Sequence, residues 1–228
     1  MFAALTACVL GFANGLRHAL EPDHLAAVST LVAGQKSARA TVRYAAAWGA
    51  GHAAMLIVAG GALALLRKEL PSLASDIFEL VVALVLIGLG VRGLVQARLV
   101  PTGEAVKHRH GEIEHAHAGT TDHVHVSGWT LARLPFVVGL VHGLAGSGAL
   151  AALVASRVPS AAFAISFITI YAIGAAVGMS ALAGVLGWPL ARLARSGRTM
   201  TFLIGASACV SLGIGIWWAA PIVARLVA

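Results

Sequence analysis

Apolar residues in this chain fall in blocks too long and too continuous to be the buried stripes of soluble helices. A water-exposed helix carries its apolar side chains on one face, three or four residues apart. Here they fill whole windows. A run of about 18 or more such residues with few charges is long enough to cross the hydrocarbon core of a bilayer. Composition points the same way: 59% of the 228 residues are hydrophobic and only 11% are charged, with a mean hydropathy of +0.87. A soluble domain of this length needs more polar surface to cover its core. The expected fold class is all-α, a polytopic transmembrane helical bundle.

Five spans are predicted at 44–66, 77–97, 131–155, 161–186 and 201–223. A first apolar region, 2–33, is interrupted near its middle by Arg17, His18, Glu21, Pro22, Asp23 and His24. It is either one broken, tilted span or a hairpin of two short helices, so the total is six or seven. Arg17 follows the first apolar run rather than preceding it, which argues against a cleaved leader.

The net charge of +7 does not point to nucleic acid, because the basic residues sit at the ends of the apolar runs, where membrane orientation places them. Lys36, Arg39 and Arg43, then Lys107, Arg109 and Arg133, then Arg192, Arg195 and Arg198 fall on one side if the spans alternate. Arg67, Lys68 and Arg157 fall on the other. The richer side is expected to be cytoplasmic and the C-terminus outside. Cys8 and Cys209 both lie in apolar runs and read as small buried hydrophobes.

Short internal matches suggest a repeat. Gly15-Leu16-Arg17-His18-Ala19-Leu20 resembles Gly139-Leu140-Val141-His142-Gly143-Leu144, and Tyr44-Ala45 with Gly51-His52 resembles Tyr171-Ala172 with Gly178-Met179. Two halves of three crossings each would point opposite ways through the membrane, the inverted-repeat plan of many secondary transporters. Gly11/Gly15, Gly139/Gly143 and Gly174/Gly178 have the spacing that lets membrane helices approach closely.

The segment from Arg17 to His24 carries the chemistry. A charge at mid-bilayer costs about 2.5–3.5 kcal/mol on insertion scales, so several ionisable groups in eight residues read as a functional site. Imidazole and carboxylate together, without thiolate, suit nickel, cobalt, zinc or copper(II) better than magnesium or calcium. Pro22 interrupts the helix and is expected to leave the carbonyl of His18 free for a cavity or an ion. The plainer reading is charge pairing, with Arg17 bonded to Glu21 or Asp23. It does not explain two histidines beside two carboxylates. The expected metal ligands are His18, Glu21, Asp23 and His24, with His52 and His142 on later spans completing or gating the site. Asn14, one turn before His18, is a ligand or an interhelical bond. Met179 reads as core.

His18-x4-Asp23-His24, preceded by Arg17, resembles the HX4DH signature of the nickel/cobalt transporter superfamily, and Gly51-His52 resembles the Gly-His of a second motif of that family. The resemblance implies that His18, Asp23 and His24 select and pass the metal. In the second half, His142-Gly143-Leu144-Ala145-Gly146-Ser147-Gly148 resembles the membrane permeases associated with urease operons, a branch of the same superfamily.

Between the halves lie His108, His110, His115, His117, His123 and His125, interleaved with Glu112, Glu114 and Asp122. Such tracts bind transition metals and do not form a packed core. A flexible cytoplasmic segment that captures or buffers metal is expected. The alternative is a solvated linker. The domain plan is therefore a first transmembrane half at 1–97, a His-rich loop at 98–128 and a second transmembrane half at 129–228.

The expected function is a secondary permease, in a bacterial inner membrane, for a divalent transition metal: nickel first, or cobalt. It would have no prosthetic group. Its partners would be the transported ion, the lipid bilayer and a metalloenzyme maturation system. The alternatives are nickel/cobalt efflux, or an accessory membrane subunit delivering nickel to an enzyme such as urease. An intramembrane metalloenzyme is disfavoured, because no HExxH stands in the chain.

Overall fold

A computed structural model of the chain describes residues 2–32, 38–99, 106–110, 113–117, 123–126, 129–143, 145, 154, 160–193 and 197–227. Helix α1 is Phe2–His18 and α2 is Pro22–Val32. Helix α3, Ala38–Met55, runs through a π-helical turn at Leu56–Gly60 into α4, Gly61–Leu66. Helix α5 is Ser72–Leu99. After four short strands come α6 at Arg133–His142, α7 at Ala161–Leu193 and α8 at Gly197–Val227.

Among the described residues, four stretches are long and apolar enough to cross a membrane: Arg39–Leu66, Ser72–Arg98, Ala161–Leu186 and Thr199–Val227. The chain is a helical membrane protein. Three of these begin before the predicted spans. Two of them carry charges near their start, Arg39 and Arg43 on one and Asp76 on the other, and such charges are tolerated where a helix end meets the headgroup region. Of the expected span 131–155, Arg133–His142 is a short apolar helix, and most of the remainder, Gly146 to Gly148 included, lies outside the described residues.

The first apolar region is broken, and the turn shows how. The N–H of Leu20 donates to the carbonyl of Arg17 (2.9 Å), and the N–H of Glu21 donates to the carbonyl of His18 (3.0 Å). The expected free carbonyl at His18 is thus taken up by the turn. Pro22 does not kink a continuous helix. It opens a new one, at the first helical position where its missing N–H costs nothing.

Between α5 and α6 the described residues include short paired strands, in a fold that is otherwise helical. Strands β1 (Val106–His110) and β2 (Ile113–His117) pair antiparallel, with His108 opposite His115. Strands β3 (His123–Val126) and β4 (Trp129–Ala132) pair likewise, with Val126 opposite Trp129. Composition alone misses this. HVHV alternates polar and apolar residues with period two, but VKHRH and IEHAH do not, so the pairing of β1 with β2 leaves no hydrophobic pattern in the sequence.

The helices pair by close approach. Helix α5 lies along α8, α1 along α7, and α3 against both α6 and α7, while α2 packs on α8 and α5. Three glycine pairs predicted for close packing sit at these crossings. A Cβ on Gly15 would collide with the carbonyl oxygen of Tyr171, and one on Gly174 with that of Phe12. A Cβ on Gly139 would collide with the carbonyl oxygen of Trp48, and one on Gly51 with that of Phe136. The surface is the reverse of a soluble protein's. Phe202 and Trp217 are about three-quarters exposed, whereas His18, Asp23, His24, His52 and His142 are buried. Lipid replaces water as the outer solvent, and the polar groups are kept for the interior.

Replacing Gly139 by Ala should push α6 from α3, with a loss of roughly 1–3 kcal/mol. Gly88→Ala should be neutral, since a Cβ there meets nothing within 4 Å. Thermal unfolding of the two variants in detergent checks this. Equal melting temperatures would rule out the close α3–α6 contact.

Candidate metal centre

The two glycine crossings also place the histidines. Gly15 stands three residues before His18 on α1, and Gly139 three before His142 on α6. Residues three apart share a helix face. The face that touches the partner helix therefore also carries the imidazole. On the other side of the α3–α6 contact, Gly51 adjoins His52. A Cβ on Gly139 would lie 2.9 Å from the backbone nitrogen of His52. Both α1 and α6 end at their site histidine. The carboxyl end of a helix carries a partial negative charge, which favours a cation there.

Ligand atoms of His18, His24 and His52 lie within 4.8 Å of one another, and all three residues are buried. A second group, Glu21, Asp23 and His24, meets the same condition and overlaps the first at His24. His142 stands at the rim, its ring centroid 5.8 Å from that of His24. The six residues expected to hold metal are thus gathered in one place by α1, the turn, α2, α3 and α6.

Hydrogen bonds fix several ring orientations. His142 donates from Nδ1 to the carbonyl of Val138 (2.9 Å), one turn earlier, which leaves Nε2 with the lone pair. His18 Nδ1 lies 3.1 Å from Glu21 Oε2, and its Nε2 lies 2.9 Å from His52 Nε2. With Nδ1–H donated to the carboxylate, His18 Nε2 accepts the proton of His52 Nε2. Carboxylate, imidazole and lone pair in sequence is the arrangement that orients metal-ligating histidines. Asp23 Oδ1 is 2.9 Å from His24 Nδ1, without the alignment of a hydrogen bond.

What remains is unsatisfied. Asp23 Oδ1, both ring nitrogens of His24, His52 Nδ1, His142 Nε2 and Trp48 Nε1 are buried with no hydrogen-bond partner among the described residues. Such atoms cost about 1–3 kcal/mol each, offset in part for Asp23 Oδ1 and His24 Nδ1, which stand 2.9 Å from each other. A concentration of them around one point is what a site built for a polar guest looks like.

Other expectations fall out differently. Asn14 is exposed, unlike the buried histidines of the cluster. Arg17 is exposed too, while the carboxylate of Glu21 faces His18 and that of Asp23 faces His24. Met179 is buried in an apolar cluster with Ala175 and Ala183, as the core reading expects. Of the loop residues, His108 and His110 lie on β1, His115 and His117 on β2, and His123 and His125 on β3.

Two residues escaped the sequence reading. Tyr171 sets its ring 5.6 Å from that of His18. Trp48 is fully buried, 5.2 Å from the ring of His24 and 5.8 Å from that of His142. One signal was present: Trp48 is one helical turn before His52, so the two share a helix face.

The unsatisfied atoms make a prediction about the empty protein. His142→Phe removes one of them, Nε2, at similar volume and leaves the Asp23–His24 pair in place, so it should stabilise the metal-free form by about 1–3 kcal/mol. Thermal unfolding in excess chelator checks it. A lowered melting temperature would mean that the imidazole is an ordinary structural group.

Among known proteins, the chain is 30% identical to the urease accessory protein UreH of Bacillus sp. (strain TB-90) over 216 residues, covering 93% of this chain and 90% of the relative. It is 29% identical to the chloroplast protein FOR GROWTH AND FERTILITY 2 and 28% identical to FOR GROWTH AND FERTILITY 1, both of Arabidopsis thaliana, again over 93% of this chain. It spans only 55% and 58% of those two relatives. No family model matches the chain, and no solved structure does.

Proposed function

This chain belongs to the family of the urease accessory protein UreH, and on that premise we propose that it is a membrane permease for a divalent transition metal, nickel in the first place and cobalt in the second. The observation that carries the reading is the buried group of His18, His24 and His52, whose ligand atoms converge within 4.8 Å, with Asp23 and Glu21 beside them. Two nitrogens each bound at about 2.0–2.1 Å to one ion, at right angles, stand about 2.9 Å apart. The spacing of His18 Nε2 and His52 Nε2 therefore suits either a shared proton or a shared cation. In this reading the ion takes the place of the proton.

The donor set supports nickel or cobalt over harder ions. Imidazole nitrogen with carboxylate oxygen and no thiolate favours mid-to-late first-row metals, and two of the ligands are held by fixed partners. Asp23 supplies charge, and the helix ends at His18 and His142 add partial charge. Glu21 is the site residue that keeps exposed surface, 27% of its side chain, and we assign it the first contact with an arriving ion. The HX4DH resemblance and the relation to UreH support placing this chain in the nickel/cobalt transporter superfamily. The chain itself is not an enzyme. Its relation to an accessory protein favours supply of metal to a metalloenzyme such as urease, and a subunit that only hands nickel to such a partner is the second reading.

Six or seven spans and a two-half inverted plan belong to the same proposal. The contacts support it. Helix α1 of the first half packs on α7 of the second, α6 of the second half packs on α3 of the first, and α5 and α8 pack on each other. Gly178 faces Leu16, and Gly51 faces Leu140, which are matched pairs under the repeat. We place the hairpins β1–β4 in the cytoplasm and the C-terminus outside, with the hairpin histidines raising the local metal concentration.

Transport of Ni2+ into sealed vesicles containing the purified protein tests the permease. Wild type should move the ion. His18→Ala and Asp23→Asn should each cut the initial rate at least tenfold while inserting normally. Unchanged rates would sink the site, and no transport by the wild type would favour the accessory reading. Replacing the six hairpin histidines by Ser should raise the metal concentration for half-maximal rate severalfold and leave the saturated rate alone. A fall in the saturated rate instead would move those residues into the transport path.

A further inference from the structure

The donor set of the site leaves one group unexplained. Trp48 is fully buried, and its indole Nε1 has no hydrogen-bond acceptor among the described residues. An indole N–H is a donor only and cannot bind a cation. Yet the ring lies against His24 and His142, at 5.2 and 5.8 Å between centroids, and 6.4 Å from His52 on its own helix. A phenylalanine would fill this space without the cost of an orphaned donor, about 1–3 kcal/mol. A donor beside a cation site has a use only if the cation brings an acceptor with it.

We propose that the cation occupies the site together with an oxygen ligand of its own, and that this oxygen accepts the hydrogen bond of Trp48 Nε1. This rests on the permease reading and specifies the cargo further. The charges agree. Asp23 is the carboxylate buried at the site, while Glu21 is engaged by His18 and partly exposed. The two carboxylates together match a dication, so the oxygen ligand need carry no charge of its own. The shared chemistry is a metal-bound oxygen, from solvent as water or hydroxide, or from a small carboxylate that travels with the ion. Trp48 then acts as a positioning residue for the oxygen, and through it favours ions that keep an extra ligand over ions content with four.

The test uses the full-length protein in lipid nanodiscs with Co2+, whose visible absorption reports coordination number. Wild type should bind Co2+ with the weak bands of a five- or six-coordinate ion. Trp48→Phe should bind about tenfold more weakly and shift toward the strong bands of a four-coordinate ion. Because a phenylalanine changes the volume, a second protein carries benzothienylalanine at position 48, which replaces the N–H by sulfur at nearly constant shape. It should show the same spectral shift. Adding acetate separates the sources: a change in the wild-type spectrum that is lost without the N–H identifies a carboxylate, and indifference to acetate identifies solvent. Identical affinity and spectrum in the wild type and the sulfur analogue would overturn the inference and leave the permease intact. Failure of the wild type to bind Co2+ at all would overturn the permease reading itself.

Discussion

Burying polar atoms without partners is the constraint around which this bundle is arranged. A membrane helix gains nothing from hiding imidazole from lipid unless something receives it, since hydrocarbon and an empty apolar interior are equally poor solvents. Yet five ionisable residues, His18, Asp23, His24, His52 and His142, are almost completely buried in a chain that has only nine acidic residues and ten histidines altogether. The hydrogen bonds that exist there orient rings rather than satisfy them. His142 spends Nδ1 on a backbone carbonyl and keeps Nε2 over, while His18 spends Nδ1 on Glu21 and Nε2 on His52, which leaves His52 Nδ1 over. Orientation with residual valence is a different design from a satisfied polar network, which would leave nothing over.

Such a cluster needs rigid walls, and small residues provide them. In lipid there is little hydrophobic drive between helices, so association depends on close van der Waals contact. Gly15 and Gly174 let α1 meet α7 at the backbone, and Gly51 and Gly139 do the same for α3 and α6. Each contact lies within one turn of a site histidine. Elsewhere the bundle uses single polar bonds, such as Ser211 Oγ to the carbonyl of Leu86 and Thr30 Oγ1 to that of Ser207. The Arg225–Asp76 pair ties the ends of α8 and α5 at an exposed position, where such a pair adds little to stability.

The sequence carried the spans and the motif because both are local. Apolar length is read directly, and His18-x4-Asp23-His24 needs only one turn and one proline to bring its groups together. His52 and His142 were legible through their glycine neighbours. The harder features depend on what meets what. Nothing in the sequence says that Trp48 faces His24, because that contact exists only once α3 has packed beside α2. The His18 carbonyl was assigned to the ion by treating the helix as continuous. In the structure the chain closes a tight turn there and uses that oxygen internally. The hairpins β1–β4 are not legible from pattern, because VKHRH and IEHAH lack the apolar–polar alternation of a half-buried strand.

The placement of the glycines has a consequence for how a permease of this kind would work. Gly139 and His142 share one face of α6, as Gly15 and His18 share one face of α1, so the contact that holds two helices together and the ligand that holds the ion move as one body. Rocking α6 on α3 cannot change access without changing the distance between His142 and His24. Binding strength and accessibility are then coupled by the geometry of a single crossing. The π-helical turn at Leu56–Gly60 follows His52 by one turn, in a helix that otherwise continues into α4. A π turn carries weaker helical geometry than its neighbours and often marks functional positions. Under the proposed permease, it would let α4 shift while the Trp48–His52 segment stays against Gly139. The ligands would then be released by a change in crossing angle, with no need for any of them to rotate out of its hydrogen bond.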